Sequence, residues 1–204
     1  MERNNITEKS ILEAAERMFL KKGFAQTTTT MIAREVGCNQ SLIHYYYRSK
    51  EKLFQLVFEK QMQNFIVGLP NVGNKSLSFE ERIKHCVYSQ FEMLQVHPEI
   101  IFFLMNELSF NPKVQTIVKE TIISYTTDIV RFIASELKVE INSGNIRPIS
   151  PINLIMNIFT LNASIFLLFS ISKKISLFTD EELQKMINQS KHSNYTIIIR
   201  SIKN

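Results

Sequence analysis

Apolar residues near the start of the chain recur every three or four positions, which is the spacing of one helix face. They are Ile11, Ala14, Ala15, Met18 and Phe19. Thr7 precedes them and is the expected N-cap. Gly23 follows two lysines and is the expected end. The pattern therefore predicts an amphipathic helix between Thr7 and Gly23.

Two shorter apolar patterns follow, each near residues that cap or end helices. Thr27 or Thr28 can cap a helix that ends at Gly37. Another short helix is expected from about Gln40 to Tyr46, three residues later. Two short helices joined through a glycine turn are the outline of a helix-turn-helix.

The remaining sequence carries further helix signals and no convincing pair of strands. Ser49 is the expected cap of a fourth helix. Ser78 and Thr179 each begin a capping box, and Ser150-Pro151 begins a strongly apolar helix. These start and stop signals predict about nine helices. An all-α fold is expected.

The apolar segment that begins at Leu154 has two interpretations. Its length and composition suit a membrane-spanning helix. Asn157 and Asn162 interrupt it, however, and asparagine amides are costly within a bilayer. A helix buried on most sides in a soluble protein is therefore expected. A helical lipid-binding or membrane-associated protein is the alternative, and solubility without detergent would distinguish the two.

Composition narrows the class of protein further. The 204 residues are 45% apolar and include only five Gly and five Pro, which favours long helices. Cys38 and Cys86 are too few for a disulfide framework, and the polar N-terminus lacks a secretory signal. A cytoplasmic protein is expected. Residues 1–50 carry eight Lys or Arg against five Glu, and so hold +3 of the formal +5, which favours this end for a polyanionic partner.

Four ring-bearing side chains, His44 to Tyr47, end the second short helix. If this helix is the recognition helix of a helix-turn-helix, it lies in the major groove of DNA. Gln40 at its start suits adenine N6 and N7, and Ser41 is short enough for close approach. The rings and the cations that follow can reach phosphates.

The run ILEAAERMFLKKGFAQTTTTMIAREVGCNQSLIHYYYRSKEKLFQLVFE resembles the DNA-binding region of the tetracycline-repressor (TetR) family of bacterial transcription regulators. The matching pieces are AAERMF, Gly23-Phe24, the threonines before Ile32-Ala33, Gly37, and Tyr-x-Ser-Lys-Glu-x-Leu. The resemblance implies a regulator, most simply a ligand-responsive repressor, that binds a palindromic operator as a dimer. It places a helix-turn-helix DNA-binding domain at residues 1–50 and a helical effector-binding and dimerisation domain at residues 51–204. Helix four, about residues 50–66, connects them.

Carried over by position, the resemblance implies two sets of DNA contacts. The expected phosphate contacts are Thr28, Thr29, His44, Tyr45, Tyr46 and Lys50. The expected base contacts are Thr30, Gln40 and Ser41. Packing in the three-helix core is the alternative for Tyr45 and Tyr46. The chain departs from the family pattern at His44, where Tyr is usual, and at Tyr47, where Phe is usual. The resemblance implies that Tyr47 packs inside, so its hydroxyl needs a partner or an exit to water.

The C-terminal part offers candidates for an effector site and a dimer interface. Its many Phe and Met residues suit an adaptable pocket for a small apolar or amphipathic effector. The candidate ligand contacts are Gln90, Phe91, Phe102, Asn106, Glu107, Tyr125 and Asn157. Each has the alternative of being an ordinary core or surface residue. The last two helices, Pro151–Ser172 and Asp180–Lys203, are the expected elements of a homodimer interface.

Nothing in the sequence indicates catalysis. Paired carboxylates, a nucleophile–base motif and a set of metal ligands are not recognisable. His85 and Cys86 are neighbours in sequence and point in different directions on a helix. The sequence therefore predicts no enzyme activity, no metal site and no cofactor.

Overall fold

The computed structural model of the protein describes residues 2–66, 76–110 and 112–204, with side chains for residues 8–63, 76–105, 107 and 112–204. Across these ranges the chain forms nine helices, and one isolated antiparallel bridge joins Ile146 to Lys203. The helices are α1 (Glu2–Gln26), α2 (Thr29–Val36), α3 (Gln40–Tyr47), α4 (Lys50–Ile66), α5 (Phe79–Val96), α6 (Glu99–Phe110), α7 (Pro112–Asn142), α8 (Pro151–Ile175) and α9 (Asp180–Ile202). The predicted all-α fold is confirmed.

Side-chain caps begin several helices at the expected residues. The Thr28 hydroxyl accepts a hydrogen bond from the first turn of α2. Ser78 with Glu81, and Thr179 with Glu182, form complete capping boxes at the starts of α5 and α9. These helices therefore begin where a short polar side chain satisfies backbone N–H groups that lack a partner within the helix.

The first helix departs from the prediction at its start. It begins at Glu2 rather than after Thr7, because the backbone of residues 2–7 is already helical and Thr7 cannot act as a cap there. The helix is interrupted at Gly23, whose φ of 78° lies in a region that glycine adopts easily. The chain then carries Phe24 into the core, where it is 5% exposed.

The chain divides into two compact units. The first comprises Met1–Gln63 with Glu99–Ser124, and the second comprises Asn64–Pro98 with Tyr125–Asn204. This division describes packing within the chain. The functional division at residue 50 stays a prediction.

Phenylalanine rings fill the core of the first unit. Phe54 of α4 meets Phe19 and Phe24 of α1 edge to face, with ring centroids 5.3 and 5.2 Å apart. Phe103 of α6 lies 5.6 Å from Phe54. Because buried aromatic rings contribute large apolar areas, these contacts hold α6 firmly to the helices that support the helix-turn-helix.

Buried amides link three helices of the second unit. Asn162 of α8 is fully buried, and its Nδ2 donates to the Val87 carbonyl at 2.9 Å and to Gln90 Oε1 at 3.0 Å. Asn194 of α9 donates to Asn162 Oδ1 at 3.0 Å. The asparagine that interrupts the apolar sequence therefore has protein partners from both α5 and α9.

Replacing Asn162 with Ala is expected to lower the free energy of unfolding by about 2–4 kcal/mol, because several buried polar groups lose their partners together. Urea denaturation measures this loss. Asn145 is exposed and its Nδ2 donates to Glu140 Oε2 at the surface, so Asn145→Ala is the matched control and should change stability by less than about 0.5 kcal/mol. Equal losses in the two variants would contradict the role given to the buried amides.

The expectation that the apolar helix is buried on most sides is wrong for the single chain. Among the described residues, one helix, α8, is long and apolar enough to cross a membrane. Only 28% of its most apolar 18-residue stretch is buried. Ile152, Leu168 and Ile175 are 60%, 54% and 63% exposed. The reason is that α8 is apolar around its circumference but packs against α5 and α9, which leaves other sides open.

Candidate nucleic-acid interface

The turn between α2 and α3 is built as a helix-turn-helix requires. Gly37 adopts a left-handed conformation with φ 73° and donates its N–H to the end of α2. Asn39 then caps α3, because its Oδ1 accepts the N–H of Ser41 at 3.1 Å. Asn39 was not among the predicted caps, although a side chain of this type before Gln40 is a typical N-cap.

The two faces of α3 differ in burial. Ile43 and Tyr47, four residues apart, are 1% and 3% exposed and point into the first unit. The Tyr47 hydroxyl donates to the backbone carbonyl of Glu8 at 2.8 Å, and burial raises the pKa of Tyr47 to about 12. The expected inward packing of Tyr47, with a partner for its hydroxyl, is confirmed.

The outward face of α3 carries the polar candidates. Ser41, His44 and Tyr45 are exposed, and Tyr45 keeps 67% of its surface open. Tyr46 is half-buried and meets the Tyr45 ring edge to face at 5.2 Å. Core packing therefore does not account for Tyr45, while Tyr46 has a position at the edge of the unit. Their contacts with phosphate stay predictions.

A polar cluster joins the starts of α2 and α3. Gln40 Nε2 donates to Thr29 Oγ1 at 2.9 Å, and Thr30 Oγ1 donates to Gln40 Oε1 at 3.1 Å. Both polar atoms of the Gln40 amide are therefore engaged within the protein. Pairing with adenine N6 and N7 would require Gln40 to exchange these partners for the base.

His44 completes this cluster on the exposed face. Its Nδ1 lies 3.3 Å from the Arg48 carbonyl, which can only accept, so Nδ1 carries the proton. In the neutral ring Nε2 is then an acceptor, and it faces Gln40 Nε2 at 3.5 Å. Protonation converts Nε2 into a charged donor, which repels the Gln40 amide hydrogens and suits a phosphate oxygen.

We therefore expect His44→Ala to weaken DNA binding by up to roughly tenfold, because one hydrogen bond to a phosphate is lost. Fluorescence anisotropy with a labelled duplex measures the effect. His85→Ala, at an exposed position of α5, should bind like the wild type. Wild-type affinity in His44→Ala would refute this role.

Lys50 also makes contacts within the protein that its sequence position did not reveal. Its Nζ donates to the carbonyls of Phe24 and Thr27, both at 2.8 Å, and lies 4.0 Å from the centre of the Phe24 ring. Burial lowers the pKa of Lys50. Because an ammonium has three donors, one remains for the predicted phosphate contact.

Thr27 is one of the two predicted caps of α2, but in the structure it lies in the core before the cap position. It is fully buried, and its hydroxyl donates to the Gly23 carbonyl at 2.8 Å. Thr27 therefore stabilises the turn from α1 into α2, and Thr28 takes the cap position.

Several candidate ligand contacts have other partners. Gln90 accepts from Asn162, and Phe91 is 1% exposed with its ring 4.9 Å from Phe166. Glu107 is 5% exposed and accepts the N–H of Phe24. These three side chains have structural contacts that the sequence could not show, because the partner of each lies 72 or more positions away along the chain.

The other ligand candidates are dispersed. Phe102 and Tyr125 are half-buried, Asn157 is exposed, and the side chain of Asn106 lies outside the described residues. An apolar cavity of about 90 Å³ lies between α8 and α9. None of the seven candidates is among its lining residues, which are Ile165, Leu168, Phe169, Ser172, Leu177, Phe178, Leu183, Met186 and Ile187.

Sequence comparisons agree with this geometry. Residues 11–57 match the family model of bacterial regulatory proteins of the tetR family. The HTH-type transcriptional regulator YhgD of Bacillus subtilis is 26% identical over 145 residues, which cover 71% of this chain and 74% of YhgD. The transcriptional repressor NicS of Pseudomonas putida is 30% identical over 101 residues, which cover 50% of this chain and 48% of NicS.

Solved structures match along nearly the whole chain. A fatty acid metabolism regulator from Clostridium perfringens superposes with a TM-score of 0.73 at 22% identity, covering 96% of this chain and 99% of its own. These relatives are transcription regulators rather than enzymes, which confirms the expectation of no enzyme activity. Residues 11–57 form a DNA-binding helix-turn-helix of the tetR family of bacterial regulatory proteins, and the chain is a transcriptional regulator.

Proposed function

We propose that the protein is a ligand-responsive repressor that binds a palindromic operator as a homodimer. The observation that carries the proposal is the outward face of α3, where Ser41, His44 and Tyr45 are exposed beside the Gln40 amide. This is the arrangement in which a recognition helix offers its N-terminal residues to base edges and its later residues to phosphates.

In this proposal residues of α2, of α3 and at the start of α4 form two sets of DNA contacts, one with base edges and one with phosphates. Thr30, Gln40 and Ser41 contact base edges in the major groove. The residues that hold the phosphates are Thr28, Thr29, His44, Tyr45, Tyr46 and Lys50. The exposed positions of Thr28 and Thr30 at the start of α2 support this division.

The last two helices are the proposed dimer interface. On α8, Leu168, Ile171 and Ile175 are 54%, 43% and 63% exposed and share a helix face at spacings of three and four residues. The cavity of about 90 Å³ beside them is smaller than the roughly 300 Å³ of a usual ligand site and suits a side chain of a second copy. Dimerisation would bury the apolar surface that one chain leaves open.

The proposed effector is a small apolar or amphipathic molecule. The similarity to a regulator named for fatty acid metabolism supports an effector of this class. The effector would favour a dimer whose two DNA-binding domains have the wrong spacing for the operator. Operator affinity would then fall by the difference in the free energy of effector binding between this dimer and the operator-binding dimer. Such a repressor acts in the cytoplasm, where bacterial DNA lies.

Selection of duplexes from a random-sequence library by the purified protein tests the proposal. We expect an enriched inverted repeat with half-sites about one helical turn apart. Sedimentation should then show two chains, or a multiple of two, on each selected duplex. A selected sequence without two-fold symmetry, bound by one chain, would refute the dimeric repressor.

A further inference from the structure

The turn between α1 and α2 is held from two sides at Phe24. Its backbone N–H donates to Glu107 Oε1 at 2.6 Å in a buried contact. Its carbonyl accepts from Lys50 Nζ at 2.8 Å. One peptide segment is therefore held by a carboxylate of α6 and by an ammonium at the start of α4.

The same contacts enclose both ends of the helix-turn-helix. On one side the turn leads directly into Thr28, the cap of α2. On the other side, α3 ends at Tyr47, and Lys50 begins α4 and also donates to the Thr27 carbonyl. We call Phe24, Thr27, Lys50 and Glu107 the Phe24 clasp.

Glycine at position 23 makes the clasp possible. A Cβ on Gly23 would lie 2.6 Å from Glu107 Oε1, closer than a carbon and an oxygen atom pack without a hydrogen bond. The φ of 78° at this residue also disfavours other residue types. The carboxylate of α6 therefore reaches the Phe24 N–H because the backbone beside it has no side chain.

We propose that Glu107 is a positioning residue for DNA binding, which holds the α1–α2 turn, and with it the recognition helix α3, in register with α6. This inference rests on the operator binding proposed above. A shift of α6 by about 1 Å would stretch the hydrogen bond beyond its useful length. A buried N–H left without an acceptor is unfavourable, so the turn follows α6 or loses this contact.

The clasp also gives α6 influence over DNA contacts that it does not itself make. Lys50, which has one donor left for phosphate, is held by the same Phe24 carbonyl whose N–H Glu107 binds. A displaced turn therefore moves the Lys50 ammonium and the start of α2 together. Two sets of predicted phosphate contacts change from one cause.

Folding stability does not explain the carboxylate. Burial raises the pKa of Glu107 more than the Phe24 N–H and Lys50 lower it. A raised pKa means that the folded state favours the protonated form more than the unfolded chain does, so the stability contribution of this group is lost as pH rises through its folded pKa. At neutral pH a neutral glutamine should therefore be at least as stable as the ionised glutamate.

The test compares Glu107→Leu, Glu107→Gln and Met105→Ala, an exposed control on α6, with the wild-type protein on its selected duplex. Leu removes the acceptor for the Phe24 N–H, and we expect about tenfold weaker binding. Gln keeps an acceptor oxygen and should stay within about twofold, like the control. Because the Lys50 ammonium moves with the turn, Leu should also reduce the slope of log affinity against log salt, whereas Gln and the control should keep the wild-type slope.

Wild-type affinity in a folded Glu107→Leu variant would overturn the proposal. A loss in Glu107→Gln equal to that in Leu would also overturn it, since the charge and not the acceptor would then matter. A weaker Leu variant whose salt slope equals that of the wild type would contradict the coupling of the turn to the Lys50 phosphate contact. Melting temperature and helix content are measured on each variant beside the affinity.

Amide hydrogen exchange at Phe24 keeps the proposal testable if Glu107→Leu does not fold. In the free wild-type protein and in Glu107→Gln this amide should exchange slowly, as a buried donor with an acceptor does. Rapid exchange there in the folded protein would overturn the clasp. A wild-type protein that selects no duplex would defeat the proposed function itself, and the exchange measurement would still decide the Phe24 contact.

Discussion

Replacing both Leu168 and Ile175 with Glu is expected to convert the dimer to a monomer and to lower operator affinity by roughly 100-fold or more, because two linked half-site contacts become one. Both side chains lie exposed on one face of α8, seven residues apart. Burying four added carboxylates in an apolar interface, two from each chain, would be strongly unfavourable. Sedimentation velocity measures the change of mass, and anisotropy measures the change of affinity.

The matched control places the same charge on another exposed aliphatic position. Val139 of α7 is 61% exposed and lies outside the proposed interface. Val139→Glu should therefore remain dimeric and bind the operator normally. A double variant that stays dimeric, or a control that dissociates equally, would place the interface elsewhere.

The Gln40→Ala variant is expected to lose sequence discrimination by roughly 5- to 150-fold, the effect of one bidentate contact with a base. Affinity for random-sequence duplex should change little, because Gln40 carries no charge for phosphates. The loss should be concentrated at one base pair of each half-site. Competition between the selected duplex and duplexes substituted at each position measures it.

Gln95→Ala is the control for this experiment, since Gln95 is an exposed glutamine of α5. It should leave every affinity unchanged. If Gln40→Ala instead weakened binding to all duplexes by the same factor, Gln40 would stabilise the helix-turn-helix through Thr29 and Thr30 rather than contact a base.

The helices and the exposed face of α3 could be predicted because their signals are local. Gly37 ends α2, and Thr28 and Ser78 cap helices, through backbone conformations and hydrogen bonds that span a few residues. The inward position of Tyr47 was expected from the resemblance, since the family usually has Phe there, and its helical phase with Ile43 accounts for it.

The contacts that were not predicted join residues far apart in sequence. Lys50 reaches Phe24, 26 positions away, and Glu107 reaches the same residue across 83 positions. Asn162 finds the Val87 carbonyl across 75 positions. Periodicity identifies which face of a helix is apolar but not which neighbour covers it, which is also why the exposure of α8 was misjudged.

Fluorescence anisotropy of the wild-type protein with its selected duplex, at two salt concentrations and with excess random-sequence duplex, tests the central claim most directly. The account predicts binding that survives the competitor and weakens steeply with salt, since phosphate contacts supply much of the affinity and α3 supplies the discrimination. Binding abolished equally by random-sequence duplex, or absent even at low salt, would contradict a sequence-specific regulator that reads DNA through α3.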